Sequence, residues 1–417
     1  MSTLVRGSSV SAWYASIVGL AKSDVHSSGA IFRYCELCQP LSGLKVIPAV
    51  GESGVPFAVV QRPSKAFVAI SQYNASSGVP PVRAVVHKPQ AVTLTVNGTS
   101  SFAGSSLAFV ECCNDLPPSW KKWLTARIAG RSQREKKELP HPPCLAPQGL
   151  FICTSNHALL EMVVGAASSF STSLGPGIST LAQELMLASL PVCSNSKDRP
   201  GLFAGENDLV AVAELARHLD GRANVVKCMV DRICTDRIVE VQPNGRRFIN
   251  VKCEPHRGTM VVLSPPQAIP SPPFGGANIL VSRKASQSDY LCRRKLLIVN
   301  GLHTTLAFLT LAQAVPRGTS EEVALVDDKL NGKLAALPLI KLDTASQAQR
   351  RLMWCWSAAR LLVLLNEVDV EVIQSAHGVG SPAAAVKVLV NFALETLGRF
   401  DYTEVIKVKA FSCIFAQ

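Results

Sequence analysis

Lys295, Asn300 and His303 stand at offsets 0, +5 and +8 in the run Lys295-Leu-Leu-Ile-Val-Asn300-Gly-Leu-His303, and Thr304 to Gln313 continues it as a second apolar stretch. An amine, an amide and an imidazole inside an apolar run are costly to bury unless they satisfy one another or a ligand. That cost makes the run a site candidate. A lysine whose pKa falls from about 10.4 to about 7 to 8 can accept a hydroxyl proton. Desolvation and neighbouring cations both lower it, and Arg293 and Arg294 directly precede Lys295. An amide donates to a developing alkoxide without titrating. The competing reading is a helix whose lysine snorkels outward while Asn and His cap the next turn. The expected local structure is a helix, a polar break at Asn300-Gly301, and a second helix.

Lys-x4-Asn-x2-His before an apolar helix resembles the signature of the polyol-specific long-chain dehydrogenases, the family of mannitol dehydrogenase and mannitol-1-phosphate 5-dehydrogenase. Further short matches run in the family's order. Thr172-Ser-Leu-Gly175-Pro176 resembles "TAVGP", Glu206-Asn207 resembles "CEN", Met229-Val-Asp231-Arg-Ile233 is similar to "MVDRI", and Gly398-Arg399-Phe400 resembles "GRF". Residues before 170 offer nothing comparable. The resemblance implies hydride transfer between a polyol or polyol phosphate and NAD or NADP, without a metal. It implies that Lys295 is the base, that Asn300 and Asn207 bond the alkoxide or the amine, and that His303 orients substrate hydroxyls. Asp231 would hold Lys295 or a hydroxyl. Arg399, assisted by Lys407, would bind a phosphate or outer hydroxyls.

A sheet is needed to hold the nucleotide. Pro56 to Gln61 reads as a strand, as do Ala91 to Val96, Ser106 to Glu111, Leu150 to Thr154, Leu202 to Gly205 and Val225 to Val230. Phe248 to Cys253 and Thr259 to Leu263 read as strands paired with each other. Helices are expected from His157 to Ser168, Ile178 to Leu190 and Asp208 to Leu219. Alternating strands and helices predict an open α/β sheet. The Pro-rich stretch from Pro265 to Gly276 then marks a boundary, and beyond Ser288 the chain reads as nearly all helix. The expected fold is a Rossmann-like α/β domain, residues 41–284, followed by an all-α substrate domain, residues 285–417. Residues 1–40 form a divergent N-terminal segment with helical stretches.

The first βα unit departs from the dinucleotide pattern, because the chain has no G-x-G-x-x-G. Gly43 reads as the last glycine of such a turn, with no strand recognisable before it. Gly175 and Pro176 complete the expected nucleotide contacts. Gln61-Arg62 replaces the acidic residue that would hold the ribose hydroxyls, and a guanidinium suits a 2′-phosphate, which tilts the expectation toward NADP.

Composition narrows the classes. Of the 417 residues, 47% are hydrophobic and 17% charged, which excludes a disordered chain. A net charge of +12 favours anionic partners without choosing among them. Trp120-Lys-Lys-Trp123 with Arg127, Arg131, Arg134, Lys136 and Lys137 forms a basic helix; a solvated face is preferred there over nucleic acid. Thirteen cysteines, with Cys153, Cys228, Cys253 and Cys355 in apolar runs, predict reduced, buried thiols. No apolar run reaches the roughly 18 residues of a membrane span. The first 23 residues lack an acid and carry Arg6 and Lys22. A cytoplasmic protein is expected, or a plastid or mitochondrial one if that stretch is a transit peptide.

Overall fold

The structure is a computed structural model. It describes residues 34–38, 57–61, 90–96, 99–100, 106–132, 149–153, 156–167, 169–173, 186–205, 209–231, 234–242, 247–253, 259–263, 279–282, 284–314, 340 and 345–401. These fall into two compact units, one up to residue 282 and one from residue 284.

Among the described residues the first unit has thirteen strands: β1 (Tyr34–Cys38), β2 (Phe57–Gln61), β3 (Gln90–Val96), β4 (Thr99–Ser100), β5 (Ser106–Val110), β6 (Gly149–Cys153), β7 (Ser169–Ser173), β8 (Gly201–Ala204), β9 (Asn224–Asp231), β10 (Cys234–Val241), β11 (Arg247–Cys253), β12 (Thr259–Val262) and β13 (Ile279–Val281). Their order is β10-β11-β3-β5-β6-β2-β1-β7-β8-β9-β12-β13, with β4 on β3. The stretch β6-β2-β1-β7-β8-β9 is parallel throughout. Numbered along the chain, those six strands lie in the order 3-2-1-4-5-6 of the doubly wound dinucleotide-binding sheet. The unit is Rossmann-like, as the alternation of elements predicts.

Burial on both faces explains the composition of the central strands. All five residues of β6, Gly-Leu-Phe-Ile-Cys, are buried, and so are all four of β8. Continuous apolar runs of this kind belong to strands covered on both sides. Along β2, Ala58 and Val60 enter one core while Phe57 and Val59 enter the other, the two-residue alternation of a pleated strand. The first core also takes the inner faces of helices α1 (Pro118–Ser132), α2 (His157–Ala166) and α3 (Leu209–His218). Helix α2 starts where the Asn156 side chain accepts from the Leu159 N–H. Helix α3 buries Val212 and Leu215 and ends in a turn at Gly221, whose φ of 77° favours glycine.

Two expectations need correction here. A strand does precede Gly43: β1 lies within residues 1–40, between β2 and β7 at the centre of the sheet. Its sequence, Tyr-Cys-Glu-Leu-Cys, has too few β-branched residues to stand out, and its neighbours on both sides supply the ladder. Second, β11 and β12 are not partners. β11 pairs with β10 and β3, and β12 with β9 and β13. The sequence between β10 and β11 contains Asn244-Gly245, a dipeptide favoured in hairpin connections.

The second unit contains α4 (Ala285–Arg294), a π-helical turn (Lys295–Asn300), α5 (Gly301–Ala314), α6 (Gln347–Glu367), α7 (Val370–His377) and α8 (Pro382–Asp401). Ser346 and Gln349 form a reciprocal capping box at the start of α6. Gly378, at φ 64°, closes α7 in the left-handed region. Residues 315–339, within the stretch expected to be nearly all helix, lie outside the described residues.

Candidate functional site

The polar break expected at Asn300-Gly301 is absent. Lys295 and Gly301 both have right-handed helical dihedrals, so α4, the π turn and α5 are one continuous helix. The Gly301 N–H reaches back five residues to the Leu296 carbonyl. This widening has a consequence for side-chain direction. In an α-helix residues five apart diverge by about 140°. Bonding from i to i+5 widens the turn and narrows that divergence, and His303 follows Asn300 by three α-helical residues. The π turn thus leaves the Lys295 and Asn300 positions closer around the helix axis than α-helical spacing would. π turns of this type recur at functional sites.

Burial excludes the snorkelling alternative. Lys295 is only 7% exposed. Asn300 and His303 are half-buried. Burial holds the His303 imidazole down at about 4, so it is neutral near pH 7.

The two arginines before Lys295 differ in their surroundings. Arg293 is exposed and makes a two-pronged ion pair with Glu367, at 2.7 and 2.9 Å. Arg294 is 9% exposed. Its guanidinium lies 4.0 Å from the Phe392 ring centroid and 5.9 Å from that of Tyr290. Nη1 lies 3.2 Å from His377 Nε2, and Tyr290 Oη lies 2.6 Å from the same nitrogen. Arginine only donates, so Nε2 is the bare acceptor and the proton of His377 is assigned to Nδ1. Burial and then the Arg294 charge push His377 down to about 3. Burial raises Tyr290 to about 12.

Arg360 on α6 lies beside the end of the π turn and carries no site signal in the sequence. Its guanidinium lies against Gly301, Nη1 donates to Thr305 Oγ1 at 3.0 Å, and Thr305 donates to the Gly301 carbonyl at 2.9 Å. His377 and Tyr290 carry no sequence signal either, because their meeting depends on how α4 and α7 pack.

Arg399 is buried in the last turn of α8, at 7% exposure. Asp231 ends β9, opposite Thr259 of β12. Asn207, Gly43, Arg62, Gly175, Pro176 and Lys407 lie outside the described residues.

In the first unit, β1 and β7 lie side by side and parallel, with Leu37 opposite Thr172. The chain leaves β1 toward β2 on one side and β7 toward β8 on the other. Such a reversal opens a crevice beyond the strand ends, the usual seat of a nucleotide in this type of sheet. Ser171 Oγ and Thr172 Oγ1, near the end of β7, are fully buried hydroxyls with no hydrogen-bond partner among the described residues. Orphaned polar atoms beside this crevice are compatible with a polar ligand there.

The basic helix α1 is present, but Trp120 and Trp123 are buried, at 0% and 4% exposure. They pack edge to face and are withdrawn from solvent. Cys153 and Cys228 are buried free thiols as expected, whereas Cys355 is exposed, because it sits on the outer side of α6. Among the described residues, no group of three or more His, Cys, Asp and Glu side chains could hold a metal ion. No described helix is long and apolar enough to cross a membrane.

No family model and no curated protein matches the chain. Among solved structures, it is similar to an NADP+-bound yersinopine dehydrogenase, at 12% identity and a TM-score of 0.33 over 89% of this chain and 92% of that one. It is also similar to a UDP-D-ManNAc dehydrogenase from Pyrococcus horikoshii, at 11% identity and a TM-score of 0.25 over 86% and 81% of the two chains.

Proposed function

We propose that the chain is an NAD(P)-dependent oxidoreductase that interconverts a mannitol-like polyol, or polyol phosphate, and the corresponding ketose or sugar. What supports this reading is the burial of Lys295 in a π turn that runs from Lys295 to Asn300, three residues before His303. When bound, the nicotinamide supplies the acceptor for the hydride that leaves the carbinol carbon. Lys295, as the neutral amine, takes the hydroxyl proton, and in reverse the ammonium returns it to the carbonyl oxygen. Asn300 and Asn207 donate to the oxygen as negative charge develops on it. Neutral His303 orients a neighbouring hydroxyl. Asp231, Arg399 and Lys407 bind the rest of the substrate, Arg399 through the two-pronged geometry that suits an oxyanion. Gly43, Arg62, Gly175 and Pro176 hold the nucleotide at the strand ends around the β1–β7 reversal, with Arg62 favouring a 2′-phosphate.

Nicotinamide fluorescence tests the reading. NADH or NADPH added to the purified chain should be bound, and a hexitol or hexitol phosphate should reduce the oxidised cofactor. The Lys295→Ala variant should retain binding and lose turnover. The absence of G-x-G-x-x-G favours a second reading, a family member without catalysis that acts as a binding or scaffold protein. Absence of nucleotide binding at millimolar concentration would select it. A nucleic-acid-binding role is a remote third, weakened by the burial of Trp120 and Trp123.

A further inference from the structure

We propose that the outer face of α6 is a dimerisation surface, on which a second copy of the chain lays the same helix antiparallel to the first. The pairing requires nothing of the chemistry at Lys295.

A helix at the surface of a folded unit should have one apolar and one polar side. α6 has two apolar sides. The inner one buries Met353, Leu361 and Leu364 around Ser357. The outer one carries Ala348, Leu352, Cys355, Ala359 and Leu362 and ends at Asn366, all of them exposed, with Leu352 at 42% and Leu362 at 65%. Trp356 and Val363 flank this row and are exposed as well. A helix apolar all round belongs in an interior, yet this face is open to solvent in the single chain.

The spacing indicates what covers it. Positions 348, 352, 355, 359, 362 and 366 are separated by four, three, four, three and four residues. That alternation is the seam of a coiled coil, which takes another helix, and one Asn among the seam positions is a common device for fixing register. The seam runs nearly the whole length of α6, about 30 Å for its 21 residues. A helix pair of that length covers on the order of 1,000 Å² in total, which reaches the size of a specific interface.

Two further properties make the second helix a copy of α6 running the other way. Laid on itself antiparallel, about a two-fold axis level with Ser357, the seam closes in every layer. Leu352 meets Leu362 of the second copy, Cys355 meets Ala359, and Ala348 meets Asn366. Large faces large and small faces small, the self-complementarity that a two-fold interface requires. Charge selects the same sense. Arg350 and Arg351, both exposed, lie at the N-terminal end of α6, where the helix dipole disfavours cations. An antiparallel partner brings the negative end of its own dipole alongside them, whereas a parallel partner adds two more arginines at the same end.

Sedimentation velocity of the full chain over a dilution series is the test. The native chain should dimerise as its concentration rises. Leu352→Glu and Leu362→Lys should each weaken dimerisation by about 100-fold or more, since each sets two unpaired charges into the seam. Leu394→Glu, at an exposed leucine of α8, should dimerise like the native chain. Mixed in equal amounts, the Leu352→Glu and Leu362→Lys chains should dimerise again, because one antiparallel layer then joins glutamate to lysine and the other keeps leucine on leucine. A parallel pair would set each altered residue against an unaltered leucine and gain nothing. A native chain that stays monomeric leaves the face to a different polypeptide and overturns the proposal. A dimer that survives both seam variants overturns it too, as does a mixture that fails to restore pairing. Should a variant fail to fold, Cys355 decides in the native chain. Its alkylation by a maleimide should slow by about tenfold from the dilute to the concentrated end of the series, as mass action depletes the monomer. A rate independent of concentration would overturn the pairing.

Discussion

The guanidinium of Arg360 lies across the α-carbon of Gly301, the first residue after the π turn. A β-carbon at Gly301 would overlap Arg360 Nε and come within 3.0 Å of Cδ and Cζ. Gly301 has ordinary helical dihedrals, so its value is space for a neighbour rather than backbone freedom. Thr305 ties the two together, receiving from Arg360 and donating to the Gly301 carbonyl.

This makes the sign of Gly301→Ala depend on its neighbour. On an open helix the change would stabilise by about 1 kcal/mol. Here the flexible arginine must leave, losing a charged hydrogen bond of roughly 1.5–3 kcal/mol and its place 5.2 Å from the Trp356 ring centroid. Denaturant unfolding should find Gly301→Ala destabilising by about 1–2 kcal/mol in the native background. In an Arg360→Ala background the same change should become stabilising. Destabilisation of equal size in both backgrounds would disprove the coupling.

Two histidines make the helical unit acid-sensitive. Burial lowers His303 to about 4, and burial with the Arg294 charge lowers His377 to about 3, from an ordinary 6.5. A histidine depressed in the folded state contributes stability that is complete above pH 6.5 and is lost as pH falls toward the folded values. At pH 5 the loss should be on the order of 1–2 kcal/mol for each histidine, allowing for their partial exposure. Urea unfolding followed from pH 7 to pH 5 measures it. His377→Gln should flatten part of the slope, and a stability independent of pH over this interval would contradict both shifts.

How much is legible in the sequence follows from where the signal resides. β6 and β8 announce themselves as continuous apolar runs, and the helix over α3 as a spaced stripe, because burial there is written in local composition. β1 is not legible, since its strand character comes from β2 and β7 on either side. The spacing of Lys295, Asn300 and His303 is readable as chemistry, yet it suggests a broken helix where the structure has a continuous one. A π turn is specified by packing against other helices, and Gly301 resembles a breaker until Arg360 is placed upon it. The split between Arg293 and Arg294 requires knowing which side of α4 meets α7 and α8. That is tertiary information, carried by residues about 75 to 100 positions away.

Trp120 decides between a core and a nucleic-acid reading of the basic helix. It is fully buried, and the neighbouring Arg127 donates to the Ala166 carbonyl instead of facing solvent. Trp120→Ala should cost about 3–5 kcal/mol, as for other large buried aromatics. Lys121→Gln with Lys122→Gln, both exposed, should leave stability within about 0.5 kcal/mol. Thermal unfolding separates the two. If stacking on bases were the role of Trp120, its loss would instead be felt mainly as weakened, salt-dependent binding of single-stranded nucleic acid, with stability little changed.

Lys295→Met tests the centre of the proposal with the least disturbance of packing. The two side chains have similar volume and an unbranched stem, so a buried position 7% exposed accepts the exchange without a cavity. As a volume-conserving exchange it should change stability by less than about 1.5 kcal/mol. Catalysis should behave differently. Loss of a general base lowers turnover by roughly 10²- to 10⁴-fold, and the rise of alcohol oxidation with pH, which reports the loss of the proton from the amine, should disappear with it. Nicotinamide affinity should be unaffected. Steady-state rates across pH 6 to 10, set beside fluorescence titration of the same variant, distinguish these outcomes. An unchanged pH profile in the Lys295→Met variant would transfer the proton-accepting role to another residue.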